Sequence, residues 1–112
     1  MRMWMVKPSL MCDRHLLGEH FEIHMIVGSL RKGISMRSYV EGGLVQLGSL
    51  CFRHSLLARE MQRRGMNHSS DLDSVFLPSH RWGFVNVKES LRELERRCKN
   101  CRGRIKESRR EK

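Results

Sequence analysis

Between Asp13 and Lys32 the apolar residues Leu16, Leu17, Ile23, Ile26, Val27 and Leu30 return every three or four positions. That spacing predicts a long helix with one buried face. Asp13 reads as its N-cap, Arg31 and Lys32 suit the negative end of its dipole, and Gly33 suits a left-handed stop. Leu50, Phe52, Leu56, Leu57 and Met61 mark a second helix over residues 49–64, closed by Gly65. A third opens at Asn86, with Glu89 three residues on in a capping-box pattern, and carries Val87, Leu91 and Leu94 to the neighbourhood of Cys98.

Residues 1–11 read as an extended lead-in, with Trp4 and Val6 apolar and Pro8 barring a helix. Gly42, Gly43 and Gly48 break up residues 34–48, leaving room for a helical turn around Met36 to Glu41. Residues 66–85 read as a long loop held to the body by scattered anchors, among them Leu72, Trp82 and Phe84; Trp4 and Phe52 read as anchors in the same sense. No repeat and no strand pattern longer than a few residues is present. The expectation is an all-α fold: a single compact three-helix domain over residues 1–98 with an extended N-terminus. Residues 99–112 hold seven Lys or Arg against two Glu, with Ile105 as their apolar residue, and read as a basic, mobile tail.

Composition sharpens this picture. A chain of 112 residues, 39% of them apolar, supports one modest core. Its net charge of +10 and pI of about 10.3 point to a polyanionic partner, because each phosphate neutralised releases a condensed counterion. DNA and RNA satisfy that charge equally. A membrane surface fits less well, since no long apolar run or basic helix with a bulky aromatic face is present. Lys7 and Pro8 interrupt the apolar start well short of a signal-peptide core, so the expectation is a cytoplasmic protein whose four cysteines are reduced thiols.

The run Asp13-Arg14-His15-Leu16-Leu17-Gly18-Glu19-His20-Phe21-Glu22-Ile23, with Gly28 and Arg31-Lys32 after it, resembles the first helix of the phage pyrimidine-dimer DNA glycosylases of the endonuclease V type. The opening Met1-Arg2-Met3-Trp4 and the helix end Arg63-Arg64-Gly65-Met66-Asn67 agree with it. The likeness covers residues 1–70, and the third helix more loosely.

It implies a three-helix body whose N-terminus threads between helices to set its α-amine beside a glutamate. The amine attacks C1′ of the damaged nucleotide to form a Schiff base, and β-elimination then breaks the strand. Carried over, the glutamate is Glu22, the neighbouring arginine is Arg2, and His15 is an orienting or phosphate-contacting group. An α-amine titrates near ~7.7–8.0 against ~10.4 for lysine, so a useful fraction is free to attack at neutral pH. The spacing to Glu22 is one residue shorter here than in the enzymes it resembles, so Met1 itself aligns with the nucleophile. Phe21 and Met25 stand where those enzymes carry arginines, which changes how a lesion is held. The chemistry requires no organic cofactor, and the partner implied is double-stranded DNA bound by a monomer.

Ordinary roles compete at every candidate. A helix-face glutamate is usually a solvated charge, and His15 reads equally as a structural histidine. Arg2, Arg14, Arg31, Lys32, Arg53, Arg63 and Arg64 are the candidate phosphate contacts, and each alone is ordinary surface. His20 and His24 sit four apart on a helix, a spacing that can hold a metal, with His54 and His68 as further donors. Cys98-x-x-Cys101 is half a zinc site, which Cys12 and a histidine would complete; buried or exposed thiols are the plainer reading. No metal is therefore expected. Two rival functions stand beside the glycosylase/AP lyase: a non-catalytic nucleic-acid-binding or ribonucleoprotein component that keeps the fold, and a small zinc-stabilised adaptor.

Overall fold

The computed structural model describes residues 1–68, 71–72 and 83–110. Within these residues the fold is all helical: α1 (Asp13–Arg31), α2 (Arg37–Glu41), α3 (Leu50–Arg63), α4 (Val87–Arg97) and α5 (Lys99–Arg110), with 3₁₀ turns at Pro8–Leu10 and Leu47–Ser49. The expected all-α architecture holds, with five helices rather than three. Trp82 and the middle of the expected loop lie outside the described residues.

The apolar stripe of α1 (Leu16, Ile23, Ile26, Val27) packs into one core with Leu50, Leu57 and Met61 of α3. Each such side chain, fully removed from water, contributes about 1.5–3 kcal/mol. Gly33 and Gly65 leave the first and third helices at φ +74° and +80°, a conformation that costs glycine nothing. Asp13 is not the N-cap of α1. Cys12 takes that place, and the Asp13 carboxylate instead accepts a bond of 2.9 Å from Arg64. At α4 the expected cap is present: Asn86 Oδ1 accepts from the Glu89 amide at 3.1 Å.

The N-terminal segment is part of the interior. Met3, Trp4 and Val6 are all buried, which strict alternation forbids; Met5 between the latter two stands at φ +60°, in the left-handed region. Met3 donates its amide to the Leu44 carbonyl at 2.7 Å, and Ser90 of α4 donates to the Trp4 carbonyl at 2.6 Å. Pro8 does not exclude helix altogether, because it sits at the first position of a 3₁₀ turn where its missing N–H costs nothing.

The basic C-terminal stretch is a packed helix, not a solvated tail. Cys98, at φ −121° and ψ 113°, ends α4, and α5 turns back with Cys101 and Ile105 buried one turn apart. Its arginines tie it down: Arg104 donates to the Ser9 carbonyl at 3.0 Å, and Arg109 pairs with Glu95 at 2.9 Å. Two buried positions are enough when the remaining ten residues of the helix face solvent or bond neighbouring elements. No helix among the described residues is long and apolar enough to cross a membrane.

Candidate active site

The threaded N-terminus reaches the middle of α1 at Glu22. The backbone N–H of Arg2 donates to Glu22 Oε2 at 3.3 Å, so the nitrogen of Met1 lies one peptide unit, ~3.8 Å between Cα atoms, from that contact. Met1 is half-buried against the core. Arg2 and Glu22 open together into a cleft of about 550 Å³, whose wall includes Trp4, Arg14, Glu19, Phe21 and Arg97.

The Arg2 guanidinium stacks on Trp4, 3.8 Å from the ring centroid. Burial lowers its pKa from the ordinary arginine value, Arg97 lowers it further, and Glu93, Glu22 and Glu19 pull it back up. Its Nε is buried with no hydrogen-bond partner among the described residues. This cation thus lies over an aromatic face, within electrostatic reach of the Glu22 carboxylate.

Several expected site residues have other roles. Glu19 is buried and bound to Arg53 of α3, with Nε–Oε2 at 2.6 Å and a second bond at 2.9 Å. Arg53 therefore cannot be a phosphate contact. Arg64 is committed as well, to Glu60, Asp13 and the carbonyls of Pro8 and Met11, and its side chain is 9% exposed. Arg63 pairs with Glu60 but keeps most of its surface in water. Arg14, Arg31 and Lys32 remain exposed on α1 and at its end, with Arg14 lining the cleft. Phe52 and Phe84 are not anchors, being 61% and 71% exposed; Trp4 is buried as expected.

His15 borders the cleft, yet its Nδ1 faces sulfur: Cys12 Sγ at 3.3 Å and Cys101 Sγ at 3.6 Å. Burial, helped by Arg14, lowers its pKa from the usual histidine value. Cys98 completes this group, with its Sγ 3.8 Å from that of Cys12. On the other side of α1, His20, His24 and His54 bring their Nε2 atoms together, at 3.1 Å between His20 and His54 and 3.2 Å between His54 and His24. His68 closes over them, its ring centroid 4.8 Å from that of His20. Burial and the three neighbouring imidazoles push the His20 pKa down to about 4.

Glu19, His20, Arg53 and His54 were all detectable in the sequence. Each falls on the apolar stripe of its helix, Glu19 and His20 between Leu16 and Ile23, Arg53 and His54 between Leu50 and Leu57. A polar residue on such a stripe is buried and must be paired. Arg97 of the cleft wall carried no such signal, because α4 meets α1 only in the tertiary fold.

Over residues 1–74 the chain matches the family model described as pyrimidine dimer DNA glycosylase. The chain belongs to that family. No curated protein and no solved structure matches it. Membership implies a DNA substrate and covers the N-terminal segment, α1, α2 and α3. It stops short of α4 and α5, and so of Arg97, Cys98 and Cys101.

Proposed function

We propose that this glycosylase-family protein removes a damaged pyrimidine and cuts the resulting abasic strand through an imine formed by the amine of Met1, taken as the first residue of the mature chain. The observation that carries the reading is the bond from the Arg2 amide to Glu22, which sets the chain's first peptide unit against a carboxylate inside an open cleft. The amine lone pair forms a bond to C1′ as the bond to the base breaks and the base leaves with a proton; the C1′–O4′ bond then opens, O4′ takes the proton lost from nitrogen, and the C=N bond of the imine forms. Removal of a C2′ proton then drives out the 3′ phosphate. Glu22 holds the amine, offsets the positive charge of the imine and carries protons in these steps. Arg2, Arg14 and Arg97 give the rim a positive field for the phosphates on either side of the lesion.

Phe21 adjoins Glu22 on the cleft wall and is 64% exposed, and Met25, one turn on, is 45% exposed. An exposed ring beside the cleft suits the space left when a nucleotide leaves the stack. Apolar contact at these positions fits a substrate already weakly stacked, such as an abasic site, as well as a dimer.

Borohydride trapping on duplexes carrying a thymine dimer or an abasic site tests the reading, with wild type, Glu22→Gln and N-terminally acetylated protein. The expected result is a covalent adduct mapping to Met1 that acetylation abolishes. DNA binding without any adduct on either duplex would leave the non-catalytic binding reading in its place. Mass analysis of the untreated protein establishes its first residue.

A further inference from the structure

We propose that Cys12, His15, Cys98 and Cys101 form a structural zinc site joining α1 to the junction of α4 and α5. The four donor atoms lie within 4.8 Å of one another. For zinc at ~2.3 Å from sulfur and ~2.0–2.1 Å from nitrogen, a tetrahedron has edges of about 3.8 Å between sulfurs and about 3.6 Å between sulfur and nitrogen. The distances present are 3.8 Å for Cys12 to Cys98, and 3.3 and 3.6 Å from His15 Nδ1 to Cys12 and Cys101. A Cys12–Cys98 disulfide would need ~2.05 Å and would leave His15 and Cys101 without a purpose.

The local architecture supports thiolates. Cys12 and Cys98 each stand immediately before a helix, with His15 and Cys101 three residues on, so both halves of the site face the positive ends of helix dipoles. Backbone amides point at sulfur: Cys12 N–H to Cys101 Sγ at 3.2 Å and Cys101 N–H to Cys98 Sγ at 3.4 Å. A closed set of three sulfurs and one imidazole selects a soft divalent ion and leaves no position for substrate. Loading exchanges the protons of the thiols for the ion: three thiols and a neutral imidazole take up Zn²⁺ and release three H⁺. Cys98 and Cys101 lie beyond the family match and Cys12 and His15 within it, so the ion would fasten the helices that supply Arg97 to the body that supplies Glu22.

A different observation assigns a second, nitrogen-only site for a divalent transition metal to His20, His54 and His68, whose ligand nitrogens lie within 4.8 Å of one another. His54 Nε2 lies within hydrogen-bond distance of both His20 Nε2 and His24 Nε2. One imidazole nitrogen either donates its proton or offers its lone pair, so it cannot serve two such neighbours well. His68 Nε2 is buried with no hydrogen-bond partner among the described residues. Lone pairs of His20, His54 and His68 converging on one cation resolve this conflict, with His24 beside the site, and nitrogens ~2.0–2.1 Å from an ion lie ~2.9–3.4 Å apart.

Metal analysis of the full chain purified without added metal, followed by cobalt exchange, tests both sites without reference to DNA cleavage. Two equivalents of metal are expected. Cobalt in the first site gives thiolate-to-metal charge-transfer absorption, which Cys101→Ser reduces and His15→Cys retains. His54→Gln loses one equivalent and leaves that absorption intact. Wild-type protein that gives no thiolate–cobalt absorption, with its cysteines reacting freely before and after chelation, overturns the zinc site. Wild-type protein that holds one equivalent, all of it on sulfur, overturns the histidine site. Both wild-type measurements stand even if the variants fail to fold.

Discussion

Arg53 and Glu19 form a sealed ion pair across the α1–α3 interface, their side chains 2% and 0% exposed. The same guanidinium donates to the Val6 carbonyl at 2.6 Å, so the pair also anchors the N-terminal segment that leads to the cleft. Removing one partner leaves the other charge buried and uncompensated. Arg53→Met or Glu19→Gln is expected to cost about 3–5 kcal/mol. The double replacement by apolar residues of similar size should cost less than the sum of the two, and urea unfolding of the three variants checks this. Additive losses would show that the pair is not energetically coupled.

Glu22 has the opposite profile. Its described bond is to one backbone amide at the cleft, so Glu22→Gln should fold with nearly wild-type stability while imine formation falls by ~10²–10⁴-fold. Single-turnover trapping beside thermal unfolding separates the two effects. A large loss of stability would make Glu22 a structural residue instead.

Arg14 should behave as a phosphate contact and Arg53 should not. Arg14→Gln is expected to lower the slope of log affinity against log salt by about one and to weaken binding to every duplex alike. Titrations at several salt concentrations measure it, and an unchanged slope would remove Arg14 from the interface.

Glu60 carries a pH dependence. Hydrogen bonds from Arg63 and Arg64 hold its carboxyl down at about 2, with burial opposing them. A carboxylate whose folded pKa is depressed stabilises the fold above its unfolded pKa, near ~4.3, and loses that contribution as pH falls toward the folded value. Wild type should therefore lose on the order of 2 kcal/mol more than Glu60→Gln between pH 5 and pH 2, read as the difference between their unfolding curves. Parallel curves would refute the assignment.

Gly83 admits no side chain. It stands at φ +90°, and a Cβ there would lie 2.5 Å from the Val45 carbonyl oxygen. Gly83→Ala should cost more than the ~1 kcal/mol typical of a point substitution, by calorimetry. Wild-type stability would mean that this backbone approach relaxes freely.

Helices α1, α3 and α4 were legible because burial of one face leaves a period in the sequence, and they end within a residue or two of their predicted bounds. Helix α5 was not, since two buried residues among twelve in charge-rich surroundings make no period; Cys101 and Ile105 are held by elements distant in sequence. Of the site, Glu22 and Arg2 came from resemblance and the structure brings them together. The resemblance did not show that His15 turns toward sulfur. That depends on Cys98 and Cys101, more than eighty residues away, and no local pattern encodes the meeting.

The Ser90–Trp4 bond has a consequence for how the protein comes into being. The N-terminal segment gains this bond late, because α4 must have left the ribosome before Ser90 can grip the Trp4 carbonyl. Until then the opening segment lacks one of its clasps. Chains ending between residues 75 and 89 would carry the whole family match and still lack this clasp on the N-terminal segment. On the proposed chemistry, only the longer product would present its first residue to DNA in a fully clasped segment.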